Sequence, residues 1–298
     1  MRNAFIDELV LATRRGKDIV LVVGDLGYKV VEPFADEFPH RFFNAGIAEQ
    51  NMMGLSAGLA SEGVHVFAYS IANFPTFRCA EQIRNDVDYH KLPVTIVSVG
   101  GGLAYGNLGY SHHAVQDYAL IRSMPNMIIA APGDPMEVRG CVRYLIDNPT
   151  PSYLRLGKAG EPNFHKNVPT ISPGRWLPIE DSIGPNNRTL LTTGTTLEIA
   201  KKWLTDSELD GYTLHSLPLW GMSTKHMQLQ QSISWEQIVT VEDHLTDGGF
   251  GSWLMESLHG SSFDLSHLRI KSLNHRVCGM VAKQSTLYEE GGLSAFLK

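Results

Sequence analysis

A lone carboxylate, two aromatic rings and two adjacent histidines follow one another in the first half of the sequence, and together they could perform acid–base chemistry. Glu49 is the only formally charged residue between positions 45 and 60, where alanine, glycine, methionine and leucine predominate. Small residues let another backbone approach closely, so this segment predicts a helix at a tight interface. A carboxylate there must be paired, hydrogen-bonded or neutralised, because an isolated buried charge is too costly. The simpler alternative is a glutamate that reaches solvent at the edge of the helix.

Aromatic and histidine side chains follow in two further segments. Phe74 and Phe77 lie on one side of an expected loop-to-helix turn, although an ordinary aromatic core would explain them more simply. The segment Ser98–Tyr118 is a predicted strand running into a glycine-rich loop that carries His112 and His113. We discount a metal site, because no third ligand stands at a convincing spacing. We also discount a dinucleotide site, because the glycines do not form GxGxxG and no helix opens directly after them.

Short β-branched runs alternate with segments of helical periodicity, and this alternation predicts parallel sheets covered by helices. We therefore expect an α/β fold with two successive α/β domains and mainly parallel sheets. The first domain is predicted over residues 1–160 and a second, smaller one over 188–298. Residues 161–187, rich in proline, glycine and asparagine, are interpreted as a linker. The predicted strands are Ile19–Val23, Val64–Ala68, Val94–Val99, Met127–Ala131, Tyr153–Leu156, Thr189–Thr193, Tyr212–Leu217, Ile238–Val241 and Leu268–Ser272.

Helix signals accompany several of the segments between these strands. Asn44 is the expected cap of the helix that carries Glu49. Further along, Asp134 and Glu137 have the spacing of a capping box, and Asn148, followed by a proline, is expected to end that helix. Other helices are predicted at the N-terminus and over Thr196–Leu204 and Phe250–Leu258.

Composition and charge restrict the class of protein. With 43% hydrophobic and 19% charged residues among 298, the sequence is typical of a soluble globular protein, and a net charge of −6 gives no indication of nucleic-acid binding. The three cysteines lie too far apart for a metal clip or a disulfide framework. The N-terminus has the pattern of a helix and not of a signal peptide, and the longest apolar run is too short to cross a bilayer. We expect no membrane association and a cytoplasmic location.

The order of the motifs resembles the pyrimidine-binding domain of transketolases. The resemblance covers nearly the whole chain, because its later part is similar to the transketolase C-terminal domain. VVGDLGYK also resembles the first strand of the family, with its terminal aspartate. The matching stretches are NAGIAEQNMMGLSAGLA, FAYSIANFPTF, GNLGYSHHAVQDYAL, MIIAAPGDPMEV and PSYLRLGK in the first part, and TLLTTGTTLEIAKK and VTVEDHLTDGGFGSWL in the later part.

This resemblance implies a thiamine diphosphate cofactor and assigns roles to five residues. In the family the glutamate equivalent to Glu49 hydrogen-bonds a ring nitrogen of the aminopyrimidine and is catalytic. Phe74 would stack on that ring, with Phe77 and Ile71 completing its apolar pocket. Asp25, at the carboxyl end of a strand, corresponds to the family's aspartate near the cofactor, where ligands gather in open α/β sheets.

The resemblance also implies substrate-binding residues. His112 aligns with the catalytic histidine that contacts a hydroxyl or carbonyl oxygen of the substrate, and His113 is a second candidate. Arg155 is a candidate anion binder, with a surface arginine at a strand end as the alternative. Two departures from the family put the donor sugar in doubt: Leu108 stands where DGPTH has its aspartate, and a glycine near Gly100 replaces a phosphate-binding histidine.

The chain lacks the family's GDG motif and later asparagine, which hold the metal and the diphosphate. Gly-Asp occurs only before Leu26 and before Pro135. The resemblance therefore implies a split enzyme, in which a separate N-terminal subunit carries GDG and holds Mg²⁺ or Ca²⁺, and this chain supplies no metal ligand. Two copies of each subunit would form a heterotetramer, with the small-residue helix around Glu49 at the interface.

Ketol transfer from a ketose to an aldehyde, on sugar or sugar-phosphate substrates, is the function that this resemblance favours. Two alternatives stay open. One is a decarboxylating relative, similar to deoxyxylulose-phosphate synthase or to the beta subunit of 2-oxoacid dehydrogenases. The other is a non-catalytic assembly subunit with the same fold.

Overall fold

The chain forms two mainly parallel β-sheets with helices packed on them, in a computed structural model that describes residues 1–180, 187–205, 209 and 211–296. This confirms the predicted α/β class. Within the described residues, the first sheet has the strand order β10-β5-β6-β4-β3-β1-β2 and the second β12-β11-β8-β9-β7. The strands are β1 Ile19–Val23, β2 Phe42–Asn44, β3 His65–Ile71, β4 Val94–Val99, β5 Ile128–Ala130, β6 Ser152–Leu156, β7 Leu177–Glu180, β8 Arg188–Thr192, β9 Tyr212–Ser216, β10 Leu219–Gly221, β11 Gln237–Leu245 and β12 Leu268–Leu273.

Helices connect most of the parallel strands. In the part of the chain that the structure describes, no helix is long and apolar enough to cross a membrane. Short 3₁₀ segments and a π-helical segment, Ile83–Asp88, lie between the α-helices and strands. The α-helices are α1 Arg2–Arg14, α2 Glu32–Glu37, α3 Glu49–Ser61, α4 Phe74–Phe77, α5 Ala80–Gln82, α6 Asp117–Ile121, α7 Pro135–Asp147, α8 Thr196–Thr205, α9 Gln228–Ser232, α10 Phe250–Leu258 and α11 Gln284–Glu290.

The cap of α7 follows from its sequence. The Asp134 carboxylate accepts a hydrogen bond from the Glu137 backbone N–H at 2.6 Å, as the capping-box pattern predicts. The Glu137 carboxylate reaches one residue further back than the pattern requires and accepts from the Gly133 N–H at 2.7 Å. Both carboxylates are buried, so the cap also fixes the loop before the helix.

Two short strands depart from the predicted organisation. β7 lies within residues 161–187, the predicted linker, and pairs antiparallel with β9 at the edge of the second sheet. The proline content of this segment, which includes Pro178, favoured a linker over a strand. β7 lies at the edge of the sheet, where proline is tolerated. β10 belongs to the later part of the chain but pairs antiparallel with β5 of the first sheet. The domain boundaries at 160 and 188 stay predictions, and residues 181–186 lie outside the described part.

His65, buried on β3, gives the fold a testable pH dependence. Burial lowers its pKa from 6.5 to about 3, so the folded chain keeps the ring neutral where the unfolded chain is protonated. Stabilisation from this group is therefore complete above pH 6.5 and is lost as the pH falls towards 3. Lowering the pH to about 5 should cost about 2 kcal/mol in the free energy of unfolding through this group. The free energy of unfolding in urea, measured above pH 6.5 and at about pH 5, should fall less for His65→Gln than for wild type. An equal fall in both proteins would contradict this account.

Candidate functional site

The predicted site residues gather at the carboxyl ends of the parallel strands of the first sheet. Asp25 follows β1, Ile71 ends β3, and the glycine-rich loop begins directly after β4. These three strands are neighbours, in the order β4-β3-β1. Ligand sites in open α/β sheets lie at this edge, outside the carboxyl ends of the strands.

Glu49 begins α3, and its side chain is 4% exposed. Asn44 is not the cap of this helix, so that prediction was wrong. It ends β2, and its side-chain oxygen accepts hydrogen bonds from the backbone N–H groups of Asp25 at 3.0 Å and Gly46 at 2.9 Å. Because Gly46 has a φ of 72°, the chain turns there before the helix starts at Glu49. The turn places the carboxylate at the first helical residue, where the helix dipole favours negative charge.

The outward face of α3 is small and open, as expected for a helix that another chain covers. Gln50, Asn51, Gly54 and Gly58 are exposed, and Leu55 is 37% exposed. A methyl group added at either glycine would meet nothing within 4 Å. A second backbone could therefore approach this face closely.

A single arginine, which the sequence reasoning did not identify, connects Glu49 to Phe74. The Arg78 Nη1 donates to the Glu49 Oε2 at 2.9 Å, and the guanidinium carbon lies 5.0 Å from the centre of the Phe74 ring. Arg78 follows Phe74 by four residues, so both side chains lie on one face of the turn. The spacing from Phe74 to Arg78, together with the lone carboxylate of Glu49, was the sequence feature that could have indicated a role for this arginine. A cavity of about 460 Å³ is lined by Ile47, Ala48, Glu49, Gln50, Asn51 and Arg78.

Phe74, which Arg78 contacts, also contacts His112. The His112 ring meets the Phe74 ring edge-on, with 5.2 Å between the ring centres. Phe77 is 49% exposed, and Ile71 is partly buried. Phe74, Phe77 and Arg78 also line a second cavity, of about 690 Å³. The structure thus brings Glu49, Phe74, Phe77 and His112 together.

The two histidines have different environments. Burial, and to a smaller extent the neighbouring His113, lower the pKa of His112, so its ring is neutral at pH 7. His113 is 1% exposed, and its Nε2 hydrogen-bonds with the Gly106 carbonyl oxygen at 3.2 Å. The structure therefore turns His113 into its own loop, whereas His112 contacts the Phe74 ring. Neither histidine is among the residues that line the two cavities described above.

Arg155 is neither a surface arginine nor a free anion binder. Its side chain is 2% exposed, its Nε donates to the Asp117 Oδ2 at 2.7 Å, and its Nη1 donates to the Asp243 Oδ1 at 2.6 Å. Its Nη2 donates to the Ala114 carbonyl oxygen at 2.7 Å. All three nitrogens of the guanidinium therefore have protein acceptors, and the group joins the first sheet to β11 of the second. The anion-binding role that the match at SYLRLGK implied does not fit these contacts.

The glycines at the start of the loop are explained by this ion-pair cluster. A Cβ at Gly101 would lie 2.6 Å from the Arg155 Nε. A Cβ at Gly102 would lie 1.8 Å from the Asp243 Oδ2, and Gly102 also has a φ of +63°. Glycine is thus needed for the backbone to pass so close to the charged groups. The loop that carries His112 is thereby held against the contact between the two sheets.

Only part of a thiamine diphosphate molecule has matching residues here. Glu49 borders a cavity, and Phe74 and Phe77 supply aromatic surface beside it, which suits a flat heterocycle with hydrogen-bonding nitrogens. Within the described ranges, no three His, Cys, Asp or Glu residues are grouped so that they could hold a metal ion. The residues present therefore fit the pyrimidine end of the cofactor.

The comparison with known families agrees with this geometry. The family model described as the transketolase pyrimidine binding domain matches residues 1–160, which is more than half of the chain. The chain therefore belongs to the transketolase pyrimidine-binding family.

Individual relatives refine the assignment. One of the subunits of an apulose-4-phosphate transketolase from Phocaeicola vulgatus is 34% identical over 267 residues, which cover 86% of this chain and 83% of that protein. A 1-deoxy-D-xylulose-5-phosphate synthase of Listeria monocytogenes is 32% identical over 268 residues, 86% of this chain but 42% of the longer protein. A solved split-gene transketolase, described as an inactive beta4 tetramer, has a TM-score of 0.83 and 29% identity, covering 98% of this chain and 93% of that one. The predicted resemblance to the C-terminal subunit of a split transketolase is confirmed.

Proposed function

We propose that this chain is the C-terminal subunit of a split, thiamine-diphosphate-dependent transketolase and is active only with a partner subunit. The reaction would transfer a two-carbon ketol unit from a ketose to an aldehyde, within carbohydrate metabolism. One observation carries the proposal: a buried carboxylate, Glu49, borders a cavity and is joined through Arg78 to the Phe74 ring and, next to it, His112. An acid group beside an aromatic surface suits proton exchange with a stacked heterocycle.

Each residue of the site has a separate task in this proposal. Glu49 exchanges a proton with a ring nitrogen of the aminopyrimidine, because its carboxylate borders the cavity. Phe74 supplies the stacking face, and Phe77 and Ile71 extend the apolar surface around it. Thiamine diphosphate, when bound, would supply the chemistry that breaks and forms the carbon–carbon bonds. His112, neutral at pH 7, donates or accepts a proton at an oxygen of the substrate.

The diphosphate end is assigned to the partner. An N-terminal subunit with GDG and a later asparagine would hold Mg²⁺ or Ca²⁺, while Asp25 approaches the cofactor from this chain. The open face of α3 is the surface that we assign to the contact across the cofactor, and two copies of each subunit would form a heterotetramer. A cytoplasmic location suits an enzyme that acts on sugar phosphates.

Reconstitution tests the proposed function. This chain and the N-terminal subunit should each be inactive alone, whereas the mixture with thiamine diphosphate and Mg²⁺ should transfer a ketol unit from a ketose phosphate to an aldehyde. Removing the metal with a chelator should abolish transfer, and adding Mg²⁺ should restore it. Size-exclusion chromatography with light scattering would give the stoichiometry. An assembled complex that transfers no ketol unit from any of a panel of ketoses would contradict the proposal.

A decarboxylating synthase is the second candidate, and the 32% identity to a 1-deoxy-D-xylulose-5-phosphate synthase supports it. The same reconstituted complex separates the two functions. Release of carbon dioxide from pyruvate without ketol transfer would favour the synthase.

A further inference from the structure

Arg78 stands between the two groups that are proposed to bind the cofactor ring. It is hydrogen-bonded to the Glu49 carboxylate at 2.9 Å, and its guanidinium carbon is 5.0 Å from the centre of the Phe74 ring. Among the described residues, no other side chain forms a hydrogen bond or ion pair with that carboxylate. One guanidinium therefore meets both the buried acid and the aromatic face.

A guanidinium resembles an aminopyrimidine in the features that these two groups recognise. Both are planar, both present N–H donors in the plane, and both stack on aromatic rings. Arg78 uses one carboxylate oxygen of Glu49 and the space over Phe74, so an aminopyrimidine that needs the same acid and the same ring face competes with it. We propose that Arg78 occupies the ring-binding position in the empty subunit and is displaced when the cofactor ring enters. This inference rests on the proposed function.

The surroundings allow Arg78 to leave. Its side chain is 56% exposed, whereas that of Glu49 is 4% exposed. Arg78 borders the cavity of about 460 Å³ beside Glu49 and also the cavity of about 690 Å³ beside Phe77. Rotation of this side chain into solvent would free the carboxylate and join the two spaces without moving the backbone. Glu49, in contrast, is fixed at the start of α3.

The ion pair with Arg78 also explains how the fold tolerates the buried Glu49 carboxylate when no cofactor is bound. An uncompensated carboxylate at this depth would destabilise the fold, and Arg78 supplies the opposite charge. The consequence is a lower apparent affinity for the ring, because the binding-competent state, with Arg78 moved away, is only partly populated.

Calorimetric titration of thiamine diphosphate into the reconstituted complex, at saturating Mg²⁺, tests this. Arg78→Met removes the cation and keeps the length of the side chain, so the dissociation constant should fall by about 3- to 30-fold, the combined effect of a partly exposed ion pair and a cation–π contact. Arg78→Lys keeps a charge but lacks the planar group, so its dissociation constant should lie between those of wild type and Arg78→Met. Arg84→Met is the matched control, since Arg84 is 69% exposed and lines neither cavity; its affinity should equal that of wild type.

Two failures can be told apart. If the wild-type complex binds the cofactor and Arg78→Met binds it equally or more weakly, Arg78 is not a stand-in, while the proposed function survives. If neither wild type nor any variant binds thiamine diphosphate, both proposals fail together. Thermal unfolding of each variant, with and without the partner, shows whether Arg78→Met is misfolded. If it is, Arg78→Lys decides the question. Cofactor binding by Arg78→Lys that is unchanged or weaker than that of wild type then overturns the inference.

Discussion

Replacing Glu49 with glutamine should lower kcat of the reconstituted complex by about 10²- to 10⁴-fold, the range for loss of a positioned acid–base group. Glutamine has nearly the same shape, so it keeps the packing at the start of α3, but its amide cannot exchange a proton with a ring nitrogen. The buried position of the side chain makes rescue by bulk water inefficient. Steady-state ketol transfer at saturating cofactor measures the effect.

The matched control for this change is Glu62→Gln. Glu62 is an exposed carboxylate directly after the end of the same helix, far from the first turn. Its substitution should leave kcat unchanged, which separates the loss of a particular acid from the loss of one negative charge on α3. A Glu49→Gln complex that turns over like wild type would show that this residue does not activate the cofactor.

Replacing Arg155 with methionine should lower the free energy of unfolding by about 3–5 kcal/mol, the usual cost of removing one partner from a buried ion pair. The substitution would leave Asp117 and Asp243 facing each other without a cation, and both carboxylates are buried. It would also remove the donor to the Ala114 carbonyl oxygen. Urea unfolding followed by tryptophan fluorescence measures the loss.

Arg84→Met serves as the control for this experiment too, because Arg84 and its partner Glu81 are each 69% exposed. Exposed ion pairs contribute little to stability, so this variant should unfold like wild type. If Arg155→Met were as stable as Arg84→Met, the cluster between the two sheets would not have the structural role that we assign to it.

Strand positions could be predicted where burial makes the sequence distinctive. β1 and β4 were predicted with the same bounds that the structure has, because both are buried along their whole length and rich in β-branched residues. β2 and β10 were missed. Each has three residues, and the partners that make each one a strand lie far away in the sequence, at β1 and β5. Short strands of this kind depend on tertiary pairing more than on local preference.

The site was predictable in its members but not in its contacts. The resemblance assigned Glu49, Phe74 and His112 to the cofactor and the substrate of one site, and the structure brings them together. The role of Arg155 was mistaken because its acceptors, Asp117 and Asp243, lie 38 and 88 residues away along the chain. Arg78 was missed because Glu49 lies 29 residues before it, and the spacing from Phe74 to Arg78 does not by itself indicate which carboxylate the arginine meets.

The most direct test of the central claim is a structure of the reconstituted complex with thiamine diphosphate bound. We predict that a Glu49 carboxylate oxygen lies within about 3.2 Å of a nitrogen of the aminopyrimidine ring, as a hydrogen bond requires. We also expect the ring to cover Phe74, with Arg78 turned away. A bound cofactor whose ring lies elsewhere, with Glu49 still paired to Arg78, would contradict the account.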